Sequence, residues 1–165
     1  MELWNLLLPT RKVVIDCHFG MDEARNRIEN SIQPMRSFRE HLYDINGKPF
    51  EGTFAHDSFK VTRVIRYRNS FLPVITGRLE WTGEACRLSL NMTLRPFVRA
   101  FMLIWLGAAF FGCVEVTYAV ISAQASFSAE LAIPYGILIF GFLLMRFAFR
   151  PEANKASQYF QELLQ

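Results

Sequence analysis

From Phe101 to Ala123, and again from Leu131 to Phe149, almost every position is apolar. At 1.5 Å of rise per helical residue, each stretch is long enough to cross a hydrocarbon core of roughly 30 Å. Residues 124–130 join the two. So short a link predicts a helical hairpin, with both ends of the chain on one side.

Ahead of the hairpin the pattern changes period. Lys12 to Phe19 is rich in β-branched residues and reads as a strand that Gly20 ends. Asp22 can cap a helix running to about Ile32, with Ala24, Ile28 and Ile32 four apart on one face. Pro34 follows it. Residues 35–48 fit neither period, although Asn46-Gly47 signals a turn. Four segments of period two come next. Pro49 to Ala55 is interrupted by Gly52, and Ser58 to Arg66 sets Phe59, Val61 and Ile65 on one side. Val74 to Thr82 does the same with Ile75, Leu79 and Trp81, and Ala85 to Leu94 with Leu88, Leu90, Met92 and Leu94. Thr82-Gly83 marks the hairpin between the last two. The expected fold is α+β: a two-layer domain over residues 1–96, with an antiparallel sheet and one main helix, then a transmembrane hairpin over 97–150. Residues 151–165 repeat apolar positions at Ala156, Phe160 and Leu163/Leu164, and predict an amphipathic tail on the domain or the headgroups. The opening MELWNLLL reads as an amphipathic turn or two packed on the domain, or as an interfacial anchor with Trp4 at headgroup level. Its Glu2 and its short apolar run do not fit a signal peptide.

Charge orients the hairpin. The link QASFSAE has no Lys or Arg, whereas Arg95 and Arg99 precede the first span and Arg150 and Lys155 follow the second. The positive-inside rule then places both termini in the cytoplasm. Although 52% of the residues are hydrophobic, the spans supply much of that share, and the rest matches one ordinary small domain. Cys17, Cys86 and Cys113 are scattered, and reduced cytoplasmic thiols predict no disulfide. Asn91-Met92-Thr93 matches a glycosylation sequon by chance, because a cytoplasmic strand never meets that machinery.

The charge is also uneven along the domain. Residues 1–59 hold seven Lys/Arg and nine Asp/Glu, a balance of −2; residues 60–99 hold eight against two, a balance of +6. The basic part adjoins the bilayer, whose anionic lipids attract Lys and Arg. In the strand periods Lys60, Arg66, Arg78, Arg87 and Arg95 lie opposite the apolar set, with Thr62, Thr76, Ser89, Asn91 and Thr93 between them. That face is either simply solvated or an acceptor for lipid headgroups, a nucleotide or an acidic partner. Arg63 breaks the pattern by falling with Phe59, Val61 and Ile65, so it calls for a bulge or for a carboxylate partner such as Asp16.

The most unusual local sequence is Tyr67-Arg68-Asn69-Ser70-Phe71-Leu72-Pro73, with Gly77 after it. It reads as a shaped connection with aromatic plugs, or as a polar binding loop of Arg68, Asn69 and Ser70. This YRNSFLP loop, an alternating strand and a two-span hairpin together resemble small uncharacterised bacterial membrane proteins. The resemblance covers roughly residues 50–125, implies a bacterial origin and brings no activity or site with it.

Signals for catalysis are poor. His18, His41 and His56 are dispersed, Cys17 and His18 point to opposite faces of a strand, and no metal-ligand spacing, nucleophile elbow or P-loop occurs. His56-Asp57 reads as a surface turn. No enzyme activity, cofactor, metal or nucleic-acid partner is expected. Within the spans, Arg146 is close enough to the end to snorkel. Glu115 is fourteen residues beyond Phe101, about 21 Å deeper by helical rise, with no cation at its level. It reads as a neutral carboxyl bonded to Tyr118 or to a span backbone, or as a contact between subunits beside the small residues Gly107, Ala108, Gly112 and Cys113, with Gly136 and Gly141 on the second span. The expected protein works by binding and assembly, with the bilayer, anionic headgroups and a second copy or another membrane protein as partners. The alternatives are a sensor or effector whose basic sheet takes an anionic ligand while its spans oligomerise, and a membrane-tethered enzyme.

Overall fold

The computed structural model describes residues 8–35, 47–83, 85–122 and 128–165. The expectations for residues 1–7 of the opening MELWNLLL, for Asn46, for His41 and for most of the QASFSAE link lie outside the described residues, while Leu8 is buried in the core.

The chain order is β1 (Thr10–Cys17), α1 (Met21–Ser31), β2 (Ile32–Gln33), β3 (Phe50–Ala55), β4 (Ser58–Arg63), β5 (Val74–Trp81), β6 (Cys86–Thr93), α2 (Pro96–Ile121), a single 3-10 turn (Ala129–Ala132) and α3 (Ile133–Leu164). Six strands form one sheet in the order β1-β6-β5-β4-β3-β2. Strands β3 to β6 form the expected meander, and β6 pairs back onto β1 along eight residue pairs, from Thr10 with Thr93 to Cys17 with Cys86. The sheet is mixed rather than antiparallel, because β2 runs parallel to β3. Ile32, expected to end the helix, is extended instead and pairs with Phe50, while Gln33, which precedes Pro34, is driven out of the helical region. Gly20, not Asp22, occupies the cap of α1; Asp22 and Glu23 sit in the first turn, where the helix dipole favours them.

Alternation sorts the side chains as the period of two requires. Cys86, Leu88, Leu90 and Met92 of β6, and Ile75 and Leu79 of β5, are buried, while Arg87, Asn91, Thr76 and Arg78 face water. Trp81 departs from the expected apolar set. It ends β5 and remains 57% exposed. Gly77 leaves the space that the Phe59 ring fills, since a Cβ there would come within 2.1 Å of that ring.

The second layer differs more from expectation. Two helices cover the apolar face of the sheet. One is α1, through Ala24 and Ile28; the other is the C-terminal half of α3. What reads as a tail from residue 151 is a continuation of the second apolar helix, unbroken through Pro151. Its Ala153, Ala156, Phe160 and Leu164 are fully buried. Phe160 stacks on Phe50 at 4.8 Å between centroids and on Phe59 at 5.4 Å. Burial of such a ring contributes about 1.5–3 kcal/mol. The end of α3 is held as well. The Leu164 carbonyl accepts from His18 N–H at 3.0 Å, and the Leu163 carbonyl accepts from Arg27 at 3.3 Å. Those are two of the last four carbonyls that a helix cannot satisfy internally.

Helix α2 begins three residues after β6, so the hairpin stands directly against the sheet domain. Gly141 faces Trp105 and Gly112 faces Pro134, and these two glycines let the helices approach; Gly107 and Gly136 have open space beside them. The Tyr135 hydroxyl lies 2.7 Å from that of Thr117 and donates to the Cys113 carbonyl at 3.2 Å. Beyond this seam the hairpin is bare. Its most apolar windows are only 17% and 11% buried, where the core helix of a soluble protein would be mostly covered. Ile121 is 78% exposed and Phe147 72%. Both helices are long and apolar enough to cross a membrane, which points to a membrane location.

Candidate functional site

The most organised polar cluster lies where α3 passes from its bare half to its buried half. Two residues that violate their own patterns meet there. Arg63 falls on the apolar side of β4, and Glu152 falls on the apolar stripe of α3, four residues before Ala156. The Arg63 Nε donates to Glu152 Oε2 at 2.8 Å, and Glu152 is 2% exposed. Asp16, the acid suggested by sequence, lies on the opposite face with Arg87 at 2.8 Å. The Tyr67 hydroxyl donates to Glu152 Oε1, and Lys155 Nζ lies 3.4 Å from the same oxygen. Burial pushes the Glu152 carboxyl up. Hydrogen bonds from Tyr67 and Arg63, with the Arg63 charge and the Lys155 contact, outweigh it and hold the carboxyl below its usual value. The Tyr67 phenol moves the other way, raised first by its bond to Glu152 and then by burial.

The Tyr67–Pro73 loop completes the cluster. Asn69 Nδ2 donates to the Ala148 carbonyl at 3.1 Å, while Asn69 Oδ1 accepts from Phe71 N–H at 2.9 Å. Pro151 has no N–H to donate into this turn of α3, and a proline inside a helix loosens the turn before it. Asn69 therefore fastens the loop to the helix at its weakest turn. Of the expected binding loop, Asn69 is structural, and Arg68 and Ser70 are exposed.

The other residues expected to bind an anion do not converge on one site. Arg87 is paired with Asp16, and Arg78 lies 3.6 Å from Glu80. Arg66 is exposed in the connection after β4, not on a strand. Lys60 and Arg95 line an open depression of about 640 Å³ next to α2, with Glu51 and Phe97 on its rim. The face is thus less basic than its strand period suggests, because Asp16 and Glu80 interleave with its arginines. Glu115 and Tyr118 point outward from the bare surface of α2, and among the described residues none donates to Glu115. Arg146 does not approach it; its guanidinium lies over the Phe142 ring, 4.8 Å from the centroid.

Two cysteines that look scattered in sequence are opposite each other in the β1–β6 register. Cys17 and Cys86 are free, buried, and 3.2 Å apart at sulfur. Burial, followed by the bond to Cys86, pushes the Cys17 thiol up from its ordinary value to about 12. A thiol held protonated is a poor nucleophile. Among the described residues, no cluster of His, Cys, Asp and Glu could hold a metal ion.

The Arg63–Glu152 pair was visible in sequence as two separate misfits, a cation in an apolar strand face and an acid at helical spacing from Ala156 and Phe160. What hides the match in sequence is that residues 151–165 fit a helix on the domain or on the headgroups equally well. No protein-family model matches the chain, and no curated protein or solved structure matches it significantly.

Proposed function

We propose that this chain is a bacterial inner-membrane protein that acts through binding and assembly, with its α+β domain and both termini in the cytoplasm. One observation carries the reading. Helix α3 is bare and apolar over its first half, buried under the sheet over its second, and locked at the crossing by Glu152. A domain that shares its core helix with a membrane hairpin cannot swing freely on a linker. It presents its outer sheet face at a fixed height and tilt above the bilayer, as a docking platform requires. The charge asymmetry between the link and the flanks supports the orientation. Reporter fusions at Ser126 and at Gln165 test it. A periplasm-dependent reporter should be silent at Gln165 and active at Ser126, and the reverse would defeat the topology.

The hairpin also supports self-association. Two helices cannot cover Glu115, and a carboxyl facing lipid is costly enough that such groups usually face protein or water. In a Cys113→Ala background, Phe111→Cys on the same outer face should crosslink between copies in membranes. Glu115→Leu should lower the yield, and an unchanged yield would sink the idea. A second reading, an anionic ligand seated at Lys60 and Arg95, is favoured by the depression that those two residues share.

A further inference from the structure

On the far side of α3 from Glu152, at the same level, a second feature has no part in that cluster. A cavity of about 420 Å³ lies between β1 and α3, lined by Arg11, Arg146, Phe149, Arg150 and Asn154, with Leu8 to Thr10 along one edge. Three of its lining side chains are guanidiniums, and none of the described lining residues is acidic. Arg146, Arg150 and Asn154 are four apart in sequence, so they project from one face of the helix. Arg11 reaches that row from strand β1 and donates to the Asn154 side chain. Strand β1 is an edge of the sheet. Phe149, which lines the cavity, is buried.

Three cations without an anion repel one another, and folding them around one concavity costs free energy unless something negative occupies it. Four other arginines of this molecule have carboxylates: Arg25 has Asp57, Arg27 has Glu23, Arg63 has Glu152 and Arg87 has Asp16. These three have none among the described residues. The height of the cavity identifies its occupant. Arg146 and Phe149 belong to the last turn of the apolar half, and Arg150 to Asn154 to the first turn of the sheet-bound half. In the proposed orientation that level is the cytoplasmic headgroup layer. The planar forks of arginine match phosphate oxygens.

We infer that the Arg11–Arg146–Arg150 cavity is a binding site for the phosphodiester headgroup of an anionic phospholipid, which holds the domain down on the bilayer. This rests on the membrane reading proposed above. The phosphate sits between the three guanidiniums, and the acyl chains run along the bare side of α3 beside Phe142.

The test uses the full chain in nanodiscs of mixed phosphatidylglycerol and phosphatidylcholine, released into mild detergent and weighed by native mass spectrometry. The parent should retain phosphatidylglycerol in preference to phosphatidylcholine. Each cation near an anionic surface is worth about fivefold in association. Arg146→Gln/Arg150→Gln should therefore lower phosphatidylglycerol retention by about 30-fold, and Lys48→Gln, at an exposed residue that lines neither cavity, should leave it unchanged. Arg150 is exposed, so Arg150→Gln alone keeps the fold and should still lower retention by about fivefold. Glycerol phosphate in the buffer should not displace the lipid. Displacement at millimolar concentration would overturn the lipid assignment in favour of a soluble phosphate. Equal retention of the two lipids by the parent, or unchanged retention in the folded variants, would overturn the site. Failure of the parent to enter nanodiscs at all would instead defeat the membrane reading on which it rests.

Discussion

The two halves of helix α3 share one backbone and obey opposite rules. Before Phe149 the outward positions are apolar, with Ile139, Phe140 and Phe147 bare, and the close contacts are made by a small residue, Gly141, against Trp105. After Pro151 the outward positions are polar and the inward ones are Ala153, Ala156 and Phe160. The reversal occurs within about one turn, between Arg146 and Glu152. It separates a segment whose surroundings must be apolar from one whose surroundings are water and a sheet. Between them stand the groups that neither environment tolerates alone: a buried carboxylate, its arginine, and a helix turn loosened by proline.

The largest test of this contrast removes the second half. A chain ending at Arg150 loses Phe160, Leu164 and the Glu152 cluster, and the sheet loses half of its helical cover. The shortened chain should still enter membranes, but its sheet domain should be degraded rapidly by limited proteolysis. A protease-resistant core of parental size would show that the tail is peripheral after all.

Next in size is the pair at the crossing. Glu152→Ala leaves the Arg63 guanidinium, itself mostly buried, and the Tyr67 hydroxyl without their acceptor. Breaking a buried ion pair from one side costs about 3–5 kcal/mol, read as a lower denaturant midpoint of the full chain in detergent. Acid should mimic it. Because the folded state holds the Glu152 carboxyl below its usual value, its contribution is full above the unfolded carboxyl pKa and is lost as pH falls through the lower folded one. The acid arm of the stability curve should therefore flatten in Glu152→Gln. An unchanged acid arm would remove Glu152 from the account.

A smaller loss is expected at the loop. Asn69→Ala removes the bond to the Ala148 carbonyl, which is worth about 0.5–1.5 kcal/mol, while Ser70→Ala, at an exposed neighbour, should change nothing measurable. The smallest effect is a chemical one. Cys17, with its thiol raised to about 12, should resist alkylation in the folded chain at pH 8 and react only after unfolding. Fast labelling of the native chain would contradict the buried Cys17–Cys86 contact.

Much of this architecture is legible in the sequence, and the failures have physical causes. The apolar runs, the meander and the Thr82-Gly83 turn follow from period and turn chemistry, which are local. Strand β2 was missed because two residues carry no period. Residues 151–165 read as an amphipathic helix on the domain or the headgroups, and the choice between the two stays open because amphipathicity states that a helix has a partner and not which one. The site followed the same division. Arg63 declares itself as a misfit in its strand, but its partner is 89 residues away, on a stretch of α3 whose seat on the sheet is not encoded locally. The polar face looks more basic in sequence than it is, because strand period gives the side of a residue and not its cross-strand neighbour. The register set Asp16 beside Arg87.

The central claim is that α3 fixes the sheet domain to the hairpin as one body. The most direct measurement is a distance between spin labels at Ile139, on the bare half, and at Asn91, on the outer sheet face, with the full chain in lipid nanodiscs. The account predicts one narrow distance distribution in the parent and a broad one in Glu152→Ala/Asn69→Ala. A broad distribution in the parent itself would contradict it.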